Sequence, residues 1–384
     1  MTDKSKDMLI GLVAIVLGSV FLITFIAIED QVEILALITL TAIAVVVSAR
    51  MGVSKRISEA FASNEPLMNG AVLVALLVVT FWFREDHFPL LMIATVMLYL
   101  TACLGLNIQF GYTGVVNFAG AAFFGVGCYT AAVLNQHTAI PHLMVVVLGG
   151  VIAALIGSIL ILPVLRTRGH YAAVVTIAFG ILFKTFLEVN DTLGGPQGLK
   201  VPGMEVLGWD FNSNIEIGDE IELSFYLNYV AIGLILSALA FALTRRVERS
   251  WIGLSLDAVR LDETAAACFG INIKHWKITA FTLGNFLVGM AGAVFAMMLG
   301  FIAPTNFAFG DSLILVSIVL LGGMGSPWGT VVAAGLVILL PEKLQVIQEY
   351  RFLLYAVVVI LILLFRPQGL LPRGLRAYVP GWRG

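Results

Sequence analysis

Residues 88–134 read FPLLMIATVMLYLTACLGLNIQFGYTGVVNFAGAAFFGVGCYTAAVL, 47 positions without one Asp, Glu, Lys or Arg. The run is continuously apolar rather than alternating, so it reads as helix and not as the roughly ten-residue strands of a membrane barrel. It is also about twice the ~20 residues that cross a bilayer. Its middle is interrupted by Gly105, Asn107, Gln109, Gly111, Gly114 and Asn117. Two spans, near 88–110 and 112–134, joined through bent backbone, account for the pattern. In hydrocarbon such non-helical backbone is tolerated only where protein buries it or where it lines a cavity.

Working outward, further apolar stretches lie near 9–28, 34–49, 67–83, 143–162, 171–187, 226–243, 276–299, 312–322, 329–347 and 352–365. The expected fold is an all-α polytopic membrane protein of ten to twelve transmembrane helices, some broken or re-entrant; 312–322 is too short for a full span. Composition agrees. Of 384 residues 60% are hydrophobic and 12% charged, with a mean hydropathy of +0.99, where soluble domains carry about 25% charge. That excludes soluble enzymes, nucleic-acid binders and disordered chains. Residues 9–28 show no small-residue cleavage site and read as a membrane helix rather than a signal peptide. With the N-terminus inside and spans alternating, 17 of 22 Lys and Arg fall on one side, which places both termini in the cytoplasm.

The sequence holds no G-x-x-x-x-G-K-[ST] phosphate loop; the glycine-rich stretch 322–329, GGMGSPWG, lacks the lysine. His87, His137, His142, His170 and His275 have no partner at zinc-ligand spacing. No metal site and no nucleophile constellation is expected, so the chain does not read as an enzyme. Within the expected spans Lys184 is the one clear ionisable residue, near a span end where it can snorkel. Pumps and ion-coupled transporters place carboxylates or histidines at membrane depth; their absence says that the energy source lies in another chain. A pair of Gly/Pro-interrupted apolar segments points to a solute path. The bends fall at Gly111, Gly114, Gly322, Gly323, Gly325 and Pro327. Candidate path residues are Asn107, Gln109, Thr113 and Asn117, polar groups at one depth that need partners, with Tyr112 and Gly120 beside them. Gly125 and Gly127 read as close helix packing instead.

Two connections are long. Residues 188–225 form an acidic loop on the outer side, with eight Asp and Glu against Lys200. Residues 244–275, on the inner side, are basic at both ends. Leu254, Ala258, Leu261, Ala265 and Phe269 recur at helical steps, the pattern of one amphipathic helix, and Gly270 stands where a helix C-terminal glycine belongs.

Ala265, Ala266 and Gly270 resemble the E-A-A, three residues, G motif of ABC-importer membrane subunits, with Glu263 displaced by one and Thr264 in its place. The phrases GLNIQFGYTGVVNFAGAAFFGVGCYTAAVL, TLGGPQGL, AACFGIN, SPWGTVVAAG and RPQGLLP resemble LivM-type permeases of branched-chain amino-acid importers, over roughly 88–373. The resemblance implies a type II importer-like permease domain at 88–373, preceded by extra membrane helices at 1–87 and followed by a cytoplasmic tail at 374–384. It implies a coupling helix at about 251–270, in which Asp257, Arg260, Asp262, Glu263, Ala265, Ala266 and Gly270 would meet the ATPase. It also implies a second homologous permease, two ABC ATPase subunits that bind the ATP, and a periplasmic substrate-binding protein facing 188–225. No cofactor is expected in this chain, and the expected location is the bacterial inner membrane. Gly120 stands where many members have a histidine, which leaves the substrate open: branched-chain or other neutral amino acids, or urea and short amides. A stand-alone secondary transporter is the alternative mechanism.

Overall fold

The computed structural model describes residues 3–50, 57, 61, 65–166, 171–217, 221–344, 350, 353, 356–357, 360, 364, 369–371 and 373. The span expected at 352–365 falls largely outside these residues, and the tail at 374–384 wholly so.

The chain is α-helical apart from short strand pairs. In order it forms α1 (Asp3–Ala27), α2 (Gln31–Arg50), α3 (Glu65–Trp82), α4 (His87–Asn107), a π turn (Ile108–Tyr112), α5 (Gly120–His137), α6 (His142–Arg166) and α7 (Tyr171–Val189). Then follow α8 (Tyr226–Glu248), α9 (Trp251–Leu261), α10 (Glu263–Cys268), α11 (Ile273–Leu299), α12 (Phe309–Gly322) and α13 (Pro327–Lys343). Among the described residues seven helices are long and apolar enough to cross a bilayer: α1, α3, α4 with its π turn, α6, α7, α8 and α11. The protein is a multi-pass membrane protein. The 14 residues of α12 reach about 21 Å at 1.5 Å per residue, short of a ~30 Å hydrocarbon core, so it is a half-span as its length in sequence predicts. The expected span at 112–134 is corrected: no regular structure occupies 114–119 and the helix starts at Gly120.

The residues cluster into two compact units. One comprises 1–93, 214–227 and 341–348. Within it Lys343 Nζ donates to the carbonyls of Ile26 (2.5 Å) and Ile28 (3.0 Å), just past the last turn of α1. Ser224 N–H donates to Arg84 O at 3.0 Å, and its hydroxyl lies 2.6 Å from His87 Nδ1.

The other unit comprises 94–213, 228–340 and 349–384. Its axis is α11, buried along most of its length against α5 and α6. Glycine permits the approach: a Cβ on Gly127 of α5 would land on the carbonyl of Gly289 of α11. That backbone-to-backbone packing is how small residues join helices in lipid. Phe124, Tyr99 and Phe295 fill the space beside it with ring centroids 5.2–5.9 Å apart.

The connection between α7 and α8 holds short strand pairs. Leu199–Lys200 pairs antiparallel with Phe301–Ile302, and two further strand pairs join Glu205–Val206 to Trp209–Asp210 and Ile215–Ile217 to Ile221–Leu223. Tyr229, wholly buried in α8, donates to Asn212 Oδ1 (2.5 Å) or to Met297 O (3.0 Å) and accepts from Met204 N–H at 3.1 Å. Tyr229 thus ties the acidic loop to the helix bundle, as do Gln136 at Lys200 O and His142 at Glu205.

Candidate functional site

The two sequence interruptions meet. α4 widens into the π turn Ile108–Tyr112, all of it buried, and the chain then turns through Gly114 at φ +68. α12 stops at Gly322; Gly323 (φ +108) and Gly325 (φ +85) reverse the chain, and Pro327 opens α13, a position where its missing N–H costs nothing. Asn107 bridges the two breaks. Its Oδ1 accepts from Gly325 N–H at 2.7 Å, and its Nδ2 donates to Thr330 Oγ1 at 3.1 Å. The backbones touch as well: a Cβ on Gly111 would strike the nitrogen and Cα of Gly325.

A second cluster sits beside the first. Gln109 Nε2 donates to Asn285 Oδ1 (3.0 Å) and Phe281 O (3.2 Å) on α11. Asn117 Nδ2 donates to Gln109 Oε1 (2.8 Å) and Asn285 Oδ1 (3.3 Å), while Asn117 Oδ1 receives Ala119 N–H at 2.9 Å. Thr113 Oγ1 donates to Gln109 O at 2.7 Å. Buried amides left unpaired would each cost about 1–3 kcal/mol. In this chain the residues expected along the path are instead buried and bonded inside the protein. Asn107, Gln109 and Asn117 are 0% exposed and Thr113 3%, and their partners are the Thr330 and Asn285 side chains, one another and backbone groups. Gly120 faces the Leu106 and Leu315 side chains, and the Tyr112 ring is wholly buried.

The expected inner helix is two helices. α9 ends at Leu261, and Asp262, at φ −157, turns the chain and caps α10 by accepting from Thr264 N–H (2.8 Å) and Ala265 N–H (3.0 Å). The local signal for an N-cap outweighed the running periodicity. α10 closes with Ile271 N–H on Ala266 O (3.1 Å) and Gly270 N–H on Ala267 O (3.0 Å), with Gly270 at φ +78. This is the paired geometry of a glycine C-terminus, as expected for Gly270. The apolar residues that suggested one buried face lie largely outside: Leu261 is 71% exposed and Phe269 87%.

The expected coupling residues divide accordingly. Arg260, Asp262, Glu263, Ala265 and Gly270 are exposed; Asp257 and Ala266 are buried. Glu263 pairs with Lys277 at 2.6 Å. Arg260 Nη1 donates to Gly111 O at 2.5 Å, joining α9 to the π turn. Asp257 receives both Nη atoms of Arg373, at 2.7 and 2.9 Å, a two-point fork that fixes orientation as well as charge. Arg373 Nε also reaches Glu248 Oε1 at 3.3 Å, and its guanidinium lies 4.4 Å from the centroid of the Tyr112 ring. Burial works against the Arg373 charge. The hydrogen-bonded Asp257 carboxylate, with Tyr112 and Glu248, outweighs it and holds the Arg373 pKa above its ordinary value.

Sequence reasoning missed Arg373, Glu248, Asn285, Thr330 and Lys277 as members of the site. The RPQGLLP phrase stops one residue short of Arg373. A cavity of about 730 Å³ opens beside these groups, lined by Gly114, Val115, Val116, Val164, Leu165, Ala172, Ile273 and the Glu263–Lys277 pair among others. Its lining mixes aliphatic side chains with Thr264 and the adjacent, oppositely charged Glu263 and Lys277.

Residues 88–365 match the family model for the branched-chain amino acid transport system permease component. Over 289 residues the chain is 34% identical to the high-affinity branched-chain amino acid transport system permease protein LivM of Escherichia coli, covering 72% of this chain and 68% of that one. The probable branched-chain amino acid transport permease protein LivM of Methanocaldococcus jannaschii is 23% identical over 332 residues, 72% of this chain and 90% of its own. The permease protein LivH of the Escherichia coli high-affinity branched-chain system is 23% identical over 292 residues, with coverage of 72% and 91%. No solved structure matches. The family model spans the two interrupted helices that bond to each other, and the likeness to LivM covers most of both chains: the chain belongs to the family of permease components of branched-chain amino acid transport systems.

Proposed function

We propose that this chain is one of two membrane-spanning subunits of an ATP-driven importer for branched-chain amino acids. It would work in the bacterial inner membrane with its arginine-rich loops in the cytoplasm. Two ATPase subunits would bind and hydrolyse the ATP, and a periplasmic binding protein would deliver the solute to the outer loop at 188–225. One observation carries the reading. α10 presents an exposed, glycine-terminated turn with apolar Phe269 outward, and α9 is bonded directly to the π turn through Arg260 and Gly111. A partner that grips α10 thereby pulls on the broken helix.

The solute path would run along the face shared with the second permease, and the 730 Å³ cavity would be its inner mouth. An aliphatic wall with one carboxylate and one ammonium suits a zwitterion with a branched apolar side chain. The bonded cluster around Asn107, Gln109 and Asn117 would act as the support that holds the bend, not as the wall.

The test is reconstitution with both ATPases, the second permease and the binding protein, reading leucine uptake. Uptake that requires ATP is expected; uptake by this chain alone, driven by an ion gradient, would establish the stand-alone transporter instead. Phe269→Glu is the pointed variant, since an 87% exposed side chain is replaced at little folding cost. It should lower ATPase co-purification and uptake together, and unchanged values of both would remove α10 from the contact. Binding of leucine, isoleucine, valine and urea to the cognate binding protein decides the substrate.

A further inference from the structure

Arg373 stands where four separate pieces of the chain converge. Leu370 N–H donates to Leu321 O at 2.8 Å and Leu371 N–H to Gly322 O at 3.2 Å. These carbonyls belong to the last turn of α12 and have no partner within that helix, so the 369–371 segment caps the second break. Gly369, at φ +81, lies so close to Gly323 that a Cβ would meet its Cα and nitrogen. Four residues after Gly369, the Arg373 side chain turns inward, 7% exposed, onto Asp257 of α9, Glu248 at the end of α8, and the face of Tyr112 in the first break.

From this geometry we infer that Arg373 is a positioning residue that passes movement of the coupling helix α9 to both helix breaks at once. The inference rests on the importer reading above. The physical case is one of stiffness. A fork of two charge-assisted bonds between groups 7% and 11% exposed resists sliding, because separating them strands a buried charge. α9 already holds the first break through Arg260 and Gly111. Arg373 adds a second grip on that break at Tyr112, and through the backbone of 369–371 it also reaches the end of α12. Displacing α9 would then shift the Gly111–Gly325 contact as one body instead of opening it. The residues nearest Gly325 agree: a Cβ there would meet Arg373 Cδ, Gly111 O and Arg260 Nη1, so both arginines flank the junction they would move.

The experiment uses the full importer complex in proteoliposomes and measures three quantities: ATPase subunits retained on purification, ATP hydrolysed, and leucine taken up per ATP. For Arg373→Gln the expected result is retained assembly and continued hydrolysis, with leucine per ATP lowered about tenfold or more. Arg373→Lys keeps the charge but loses the fork and the flat stacking surface, and should fall between the two. Asp257→Asn approaches the same bond from the other side and should uncouple likewise. The double variant should be no worse than Arg373→Gln alone, as two ends of one interaction require. Unchanged leucine per ATP in Arg373→Gln would overturn the inference. So would uptake and hydrolysis that fall only in proportion to lost complex, since that marks a bolt holding the fold and nothing more. If the wild-type complex itself shows no ATP-driven leucine uptake, the functional reading fails and the Arg373 inference falls with it.

Discussion

Asn107 and Thr113 sit six positions apart and are both nearly sealed from solvent, yet they carry unequal weight. Asn107 joins two distant segments, and replacing it by Leu leaves Gly325 N–H buried without its acceptor. Such an orphan costs about 1–3 kcal/mol. The Thr113 hydroxyl bonds only the carbonyl of Gln109, four residues earlier, and that carbonyl keeps Val115 N–H as a second donor. Thr113→Val should therefore cost less than about 1 kcal/mol. The expected order in thermal unfolding of the purified protein is wild type close to Thr113→Val, with Asn107→Leu well below both. The reverse order would show that the bridge between the breaks is not what holds them. The sequence announced that these polar residues need partners. It did not say which partners they find, because Gln109 and Asn285 lie 176 positions apart and no periodicity spans that distance.

Single elements show where local signals sufficed and where they failed. Apart from the helix that starts at Gly120 instead of 112, the described membrane helices were legible to within a few residues, because an apolar run and its polar ends are properties of one segment. The α9–α10 corner was not: a shared apolar period ran across Asp262, and the capping signal of that one residue went unread. α10 has six residues, fewer than a helix needs to persist unaided, so its two caps are decisive. Asp262→Ala removes an acceptor from two backbone N–H groups and should cost about 1 kcal/mol. Gly270→Ala places a Cβ at φ +78, at a similar cost of roughly 1–2 kcal/mol. The Glu263–Lys277 pair is half exposed on the acid side, so Glu263→Gln should matter little. Amide hydrogen exchange over 264–271 reads all three. Acceleration of about fivefold or more is expected for the first two and almost none for Glu263→Gln, by the same 1 kcal/mol scale. Equal acceleration in all three would mean that the ion pair, not the caps, sets the stability of α10.

At the scale of the molecule, the family likeness begins at residue 88, so α1–α3 need their own physical account. Their unit includes 341–348 from the far end of the chain, and Lys343 shows why. The carbonyls of Ile26 and Ile28, at the C-terminal end of α1, face Nζ of Lys343 at 2.5 and 3.0 Å. An ammonium there also meets the negative end of the α1 dipole. No sequence signal links positions more than 300 apart, and Lys343 is one of the five Lys and Arg that fall outside the 17 assigned to one side from the sequence. Its task in the fold explains the exception: it satisfies backbone rather than orienting the chain. Lys343→Met keeps the apolar length of the side chain and removes the donor. Hydrogen bonds to a charged group contribute about 1.5–3 kcal/mol, so amide exchange at residues 26–34 should rise by about tenfold or more, while exchange in α11 stays unchanged. Acceleration in both places would mean that α1 is a structural part of the bundle that carries the helix breaks. Acceleration in neither would mean that Lys343 is not what fastens it.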